Sequence, residues 1–296
     1  METVFLDYRN VSGHANKMTL LLGTFDGVHL GHQRLVLEGK KATEGDLGVL
    51  LFDGNPADYF DSGKSHRVLT SLEDKLRLFA SLGLDLAYVL HIDQDFFAFS
   101  SEEYVSKVLK PLNPSLLVVG SDYTFGCGAE GNVASLRSFF PVREVSLLDY
   151  KGKKASTQRI ISALSRGDLS SVVGQLGRDY EIHGTVGHGF GNGRKIGFPT
   201  ANLELNTPYV LPKDGVYAGL AFLRGRPYPT LINVGENPTV GLLQKARVEC
   251  YLKGFAGSCY GETIYVQFQK RLRDEKQFAS LDDLKEQIEK DVASLD

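Results

Sequence analysis

The feature that most limits what this chain can become is a change of hydrophobic rhythm near Arg178. Up to about residue 150, short apolar runs alternate with helix-like segments; the runs are Leu20–Leu22, Val49–Phe52, Leu86–Leu90 and Leu116–Val119. Strands of a parallel sheet are covered on both faces and therefore read as continuous apolar runs, so this half predicts repeated βαβ units. The expected architecture is an α/β doubly wound sheet with its ligand at the carboxyl ends of the strands. Past residue 180 the period drops to two in "YEIHGTV", "GVYAGLAFL", "YPTLINV", "ARVECYL" and "ETIYVQFQ". Short alternating strands separated by glycine- and proline-containing turns predict a small barrel or sandwich. Ser280-Leu281-Asp282-Asp283 then caps one terminal helix, with Leu281, Leu284 and Ile288 on a single face. A chain of 296 residues has room for two cores. The expected domains are residues 1–177 and residues 178–296. The first ends in a helical linker, Ser156–Leu176, broken at Gly167-Asp168.

Helix signals support the first half. Thr70-Ser71-Leu72-Glu73 reads as a capping box, with the helix ended by Gly83, and Ser100-Ser101-Glu102-Glu103 as another, with its helix stopping at Pro111. The composition is that of an ordinary globular protein, 42% hydrophobic and 23% charged. A net charge of -3 gives no whole-chain reason to expect nucleic acid or an anionic membrane, so any phosphate chemistry must be local. No apolar run reaches membrane-spanning length, and the start lacks the order of a signal peptide. Cys127, Cys250 and Cys259 form no CxxC and read as small core residues of a protein in the reducing cytoplasm. Small molecules are the expected partners, and the chain is expected to act as a monomer or weak homo-oligomer.

Where β-rhythm first gives way to helix, residues 23–32 read "GTFDGVHLGH". A strand, a glycine-containing turn and a helix start make an anion site, because backbone N–H groups and the positive end of the helix dipole converge there. His29 and His32, three apart, share one face of the first turn. Two imidazoles beside a nucleotide phosphate stabilise charge during in-line attack without a protein nucleophile. The rival readings are a capped helix with two half-exposed histidines, or a zinc pair. The second lacks a nearby third ligand.

The ten-residue string resembles the HxGH motif of nucleotidyltransferases in the form found in bacterial FAD synthetases, bifunctional enzymes with riboflavin kinase and FMN adenylyltransferase activities. "RVLTSLEDK" and "VVGSDYTFGCGAEGN" are similar to that family's next segments, and "GRDYEIHGTVGHGFGNGRKIGFPTANL" is similar to its riboflavin kinase signature. "GVYAG", "INVGENPT", "VECYL", "CYGETIYVQF" and "RLRDEKQF" follow in the family's order. The resemblance implies phosphorylation of riboflavin to FMN by the second half and adenylation of FMN to FAD by the first, with ATP and Mg²⁺. In the first half it assigns catalysis to His29 and His32. Nucleotide or flavin contacts fall to Gly23, Phe25, Asp26 and Gly27, to Asp122, Phe125 and Gly126, and to Ser156 and Thr157. In the second half they fall to Gly187, Gly189, Arg194, Lys195, Gly197 and Pro199, and to Asn233. Thr200 and Asn202 of "PTAN" are its magnesium and phosphate ligands, and Glu249 is its general base.

Read without the family, "GHGFGNGRKIGFPTAN" is a glycine-rich loop able to wrap polyphosphate, or simply a long hairpin. It is not a dinucleotide fingerprint, because strands rather than a helix follow, and no GxxxxGK[ST] exists. Alternation puts Glu249 opposite its apolar neighbours Val248 and Cys250, which suits either a solvated face or a base. Two segments depart from the family. Gly54 and Asn55 stand where its "FxPHP" segment has proline and histidine, and Ile161 stands where its "ISSTxIR" motif ends in arginine. Arg159 is about 200° away on a helix. Two alternatives therefore stay open: a paralogue with only one activity, a riboflavin kinase whose adenylyltransferase site is weakened or lost, and a flavin- or nucleotide-binding regulator without turnover.

Overall fold

The run Met18–Leu22 is buried along its whole length because it is an interior strand of a six-stranded parallel sheet. The computed structural model describes residues 1–13, 16–60, 66–146, 150, 152–188, 193, 196–236 and 246–295. They divide into two units, Met1–Thr157 and Gln158–Asp296.

In the first unit the strands are β1 (Glu2–Asp7), β2 (Met18–Leu22), β3 (Asp46–Phe52), β4 (Leu86–His91) and β5 (Leu116–Gly120). A small ribbon of β6 (Thr124–Phe125) and β7 (Gly131–Asn132) precedes β8 (Val142–Val145). The sheet order is β1-β4-β3-β2-β5-β8, with every pairing parallel. The chain winds from β2 through β3 to β4 in one direction and continues from β5 to β8 in the other, so the topological switch point lies between β2 and β5. Ligands bind at such a point in a doubly wound sheet. Along β2, Leu20 and Leu22 join one core layer with Tyr88 and Leu117, while Leu21 joins the opposite layer with Val49 and Phe79. Helix α1 (Leu30–Ala42) follows β2, and α2 (Leu72–Ser81) follows β3.

Three sequence expectations need correction here. The cap of α2 is Ser71, whose hydroxyl accepts the Asp74 N–H, not Thr70, because the Thr70 side chain is engaged elsewhere. The Ser100–Glu103 capping box forms as expected, but its helical run continues past Pro111 to Asn113 at φ 51. Proline lacks an N–H for the preceding turn, and residues Val105–Leu109 just before it widen into a π-helix. Of the three cysteines only Cys250 is buried; Cys127 is exposed, in the short turn between β6 and β7.

Helix α3 (Thr157–Ser165) starts on the last residue of the first unit and runs into the second, where α4 (Leu169–Leu176) precedes β9 (Tyr180–Gly187), β10 (Ala201–Glu204) and β11 (Gly215–Leu223). Next come β12 (Arg226–Glu236), β13 (Ala246–Leu252), β14 (Thr263–Arg273) and α5 (Leu281–Ala293). The strands close into an antiparallel barrel in the order β10-β13-β12-β11-β14-β9. Tyr180, Ile182 and Val186 of β9 and Val248, Cys250 and Leu252 of β13 fill its interior on alternate positions. Helix α5 packs on the outer face over Val216, Ala218 and Leu231, anchored by Arg273, whose Nε donates to buried Asp291 at 2.9 Å. The change of rhythm at Arg178 is therefore not where the compact units divide. Leu164, Leu169, Val172 and Leu176 are buried, the Lys213 N–H donates to the Leu164 carbonyl at 2.8 Å, and α4 contacts β9 and β14, so the linker helices belong with the barrel.

Candidate active sites

The turn after β2 brings most of the first half's expected residues together. Phe25 (φ 54) and Val28 (φ 40) hold left-handed backbone around Asp26 and Gly27, and His29 then caps α1. The conformation is held from outside. The Asp26 carboxylate accepts N–H bonds from Leu69 at 2.9 Å and Thr70 at 3.1 Å. The Thr70 hydroxyl accepts the Gly27 N–H at 2.9 Å, and the Thr157 hydroxyl donates to the Asp26 carbonyl at 3.1 Å. The Lys75 ammonium donates to the Thr24 carbonyl at 3.1 Å. Burial pushes the Asp26 carboxyl above its ordinary range, with Lys75 pulling the other way, and burial lowers the Lys75 ammonium. Asp26 thus braces the turn through its own backbone contacts. Thr70 and Lys75 support the turn without standing out in the sequence; their signal is the segment "RVLTSLEDK", which reads as a helix start.

The braced turn fixes the histidines. The Gly31 N–H donates to His29 Nδ1 at 3.1 Å, so in the neutral ring the hydrogen sits on Nε2. A Cβ at Gly31 would fall 2.9 Å from the His29 ring, which explains the glycine inside "HLGH". The His29 and His32 rings stack at 3.7 Å with 17° between planes, and the Phe25 ring meets His32 edge-on at 5.2 Å. Gly23 leads into this turn at the end of β2, and Ser156 directly precedes Thr157. Across the switch point the β5 loop carries Asp122, paired with Lys154. Phe125 is buried against Tyr123 and Tyr104, and Gly126 approaches the Ser101 backbone. Phe125 is therefore a core ring as placed. Asn55, at the expected histidine position, accepts the Ala57 N–H at 3.1 Å and starts a short helix.

In the second unit the register aligns the chemistry. Asn202 of β10 and Asn233 of β12 are both register partners of Glu249 on β13, so three polar side chains form one row on the barrel's outer face. Gly187 of β9 pairs with Asn202 from the other side. A pocket of about 710 Å³ opens here, lined by Thr200, Asn202, Asn233 and Glu249, by Phe198 and Ile196, and by Phe278 and Leu284 near and on α5. Gly197 and Pro199 lie in the loop leading into β10, while Gly189, Arg194 and Lys195 lie outside the described residues. Glu275, Arg247 and the start of α5 also line the pocket, and sequence reading did not single them out. Among the described residues no group of three His, Cys, Asp or Glu side chains could hold a metal ion.

Comparison with known proteins matches a separate family model to each half of the chain. The FAD synthetase family model matches residues 12–163, and the riboflavin kinase model matches residues 176–296. The bifunctional riboflavin kinase/FMN adenylyltransferase of Bacillus subtilis is 34% identical over 285 residues, covering 93% of this chain and 90% of that protein. The chain belongs to this bifunctional family. Its counterpart from Escherichia coli K12 is 36% identical over 283 residues, covering 92% and 90%. A crystal structure described as a macrolide-efflux protein from Streptococcus pneumoniae superposes with a TM-score of 0.89 at 29% identity, covering 98% of this chain and 97% of that one. Among the described residues no helix is long and apolar enough to cross a membrane.

Proposed function

We propose that the second unit phosphorylates riboflavin with ATP to give FMN and that the first transfers the adenylyl group of ATP to FMN, giving FAD and pyrophosphate. The observation that carries the kinase assignment is the row Asn202–Glu249–Asn233 in a pocket with apolar walls, which suits a flat ring carrying a polar chain. Glu249 takes the proton of the ribityl 5′-hydroxyl as its oxygen attacks the γ-phosphorus, and ADP leaves. Thr200 and Asn202 offer neutral, hard oxygen donors, suited to Mg²⁺ that arrives with ATP phosphates. When bound, the ion would neutralise charge on those phosphates.

In the first unit a phosphate oxygen of FMN attacks the α-phosphorus of ATP and pyrophosphate leaves. His29 Nε2–H and His32 donate to oxygens that gain charge, a role of positioning and electrostatic stabilisation. Both reactions take place on small molecules, consistent with a cytoplasmic enzyme acting as a monomer or weak oligomer. Incubating the purified chain with riboflavin and MgATP and separating riboflavin, FMN and FAD tests the assignment: both products are expected, and absence of FMN refutes it. One observation favours a narrower reading. Ile161 lies in α3 at the position of the family's phosphate-contacting arginine, and the helix turns Arg159 away from it. On that reading the chain makes FMN alone, and Ile161→Arg restores FAD formation.

A further inference from the structure

The row beside Glu249 carries a group that the phosphoryl transfer described above does not use. Arg247 stands two residues earlier on β13, on the same face, and lines the same pocket. Its Nε lies 3.8 Å from Glu249 Oε1, and one Nη lies 3.8 Å from Glu275 Oε1. These are ion-pair separations but too long for hydrogen bonds. Nε is buried and has no hydrogen-bond partner among the described residues. A guanidinium is donor-only, and a buried donor left without an acceptor is costly, so a polar occupant of the pocket would relieve that cost.

The neighbouring carboxylate is set in place to keep it so. Glu275 Oε1 accepts from Asn233 Nδ2 at 3.0 Å and lies over Gly235, the register partner of Arg247. A Cβ on Gly235 would come within 2.5 Å of that oxygen and would push the carboxylate from this position. The guanidinium is held between two carboxylates without being hydrogen-bonded by either.

Register also gives direction. Ala201 pairs with Cys250 and Asn202 with Glu249, so Thr200 lies towards Tyr251, and Arg247 lies on the far side of Glu249. In an in-line transfer the leaving group and the attacking oxygen stand on opposite sides of phosphorus, and the rest of the acceptor trails away from it. With the phosphates at Thr200 and Asn202 and the 5′-oxygen at Glu249, the acceptor's chain runs towards Arg247. We infer that Arg247 reads the ribityl chain, donating hydrogen bonds to its hydroxyl oxygens and so selecting a polyol-bearing isoalloxazine over one without a polyol. This deepens the kinase reading and rests on it.

The test titrates the full chain and its Arg247→Met and Arg247→Lys variants with riboflavin, with FMN and with lumiflavin, which carries a methyl group in place of ribityl, following flavin fluorescence. Arg247→Met is expected to weaken riboflavin binding about tenfold to a hundredfold while leaving lumiflavin unchanged, and Arg247→Lys to recover part of the loss. An equal loss for both ligands means packing rather than recognition and overturns the inference. So does a loss confined to FMN, which would place the contact on phosphate. A wild type that phosphorylates riboflavin beside an Arg247→Met variant of unchanged riboflavin affinity overturns the inference alone. A wild type that neither binds nor phosphorylates riboflavin overturns the kinase reading with it.

Discussion

His29 and His32 stack at the start of α1 and Glu249 stands on the barrel, so their losses should be separable. His29→Ala or His32→Ala is expected to suppress FAD formation by about two to three decades and to spare FMN formation, as for loss of one oxyanion-type donor. Glu249→Gln is expected to do the reverse to the kinase, lowering riboflavin phosphorylation by about two to four decades with ATP binding retained. Separation of the three flavins after timed incubation reads both; loss of both activities in any one variant counts against the assignment. A second residue-scale expectation concerns acid stability. The Phe96 N–H and the Arg9 guanidinium hold the Asp93 carboxyl down from its ordinary 3.8 to about 2. Because the folded value is the lower one, the stability this contributes is complete above the unfolded value and is lost as pH falls through the folded one. Chemical denaturation between about pH 4 and pH 2 should show a shallower loss of stability for Asp93→Asn than for wild type. Parallel curves would remove Asp93 from the acid response.

Elements differ in how plainly the chain announces them. Interior strands β2 to β5 were legible because burial on both faces leaves uninterrupted apolar runs. Strands β1 and β8 were not, because edge strands bury only part of themselves: Glu2–Asp7 is mostly exposed. The barrel was legible as alternation, yet β10 escaped, since Ala201–Glu204 has only four residues and follows a glycine-rich loop. In the site, "GTFDGVHLGH" and "PTAN" stood out as strings, whereas Thr70, Lys75, Arg247 and Glu275 matter through contacts that only register and folding create. Helix α5 shows the energetic side of such a contact. Asp291, 8% exposed at its side chain, accepts from Arg273 and from Gln287 at 2.9 Å. Asp291→Ala leaves a largely buried guanidinium unpaired, a loss of about 3–5 kcal/mol. Thermal unfolding should show it, and a variant with the melting temperature of wild type would mean that α5 docks through its apolar face alone.

On the scale of the whole molecule, two cores imply that one can be made without the other. A fragment from Gln158 to Asp296 keeps α3 and α4 against the barrel and is expected to fold and make FMN. A fragment starting at Arg178 exposes the surface that Leu164, Val172 and Leu176 cover and should be less stable; equal stability of the two would place the boundary at Arg178. The kinase pocket also has a consequence for how the chain's last residues behave. Its walls come from the loop before β10, from five strands of the barrel and from residues between Glu275 and Asp291. A flavin seated there touches both the barrel and the final helix, so occupancy and the closing of that helix are thermodynamically linked. Amide exchange along Leu281–Ala293 should slow in proportion to saturation with riboflavin while the parallel sheet of the first unit stays at its own rate. The terminal helix would then report, from a segment with no catalytic side chain, how much of the enzyme is carrying its vitamin.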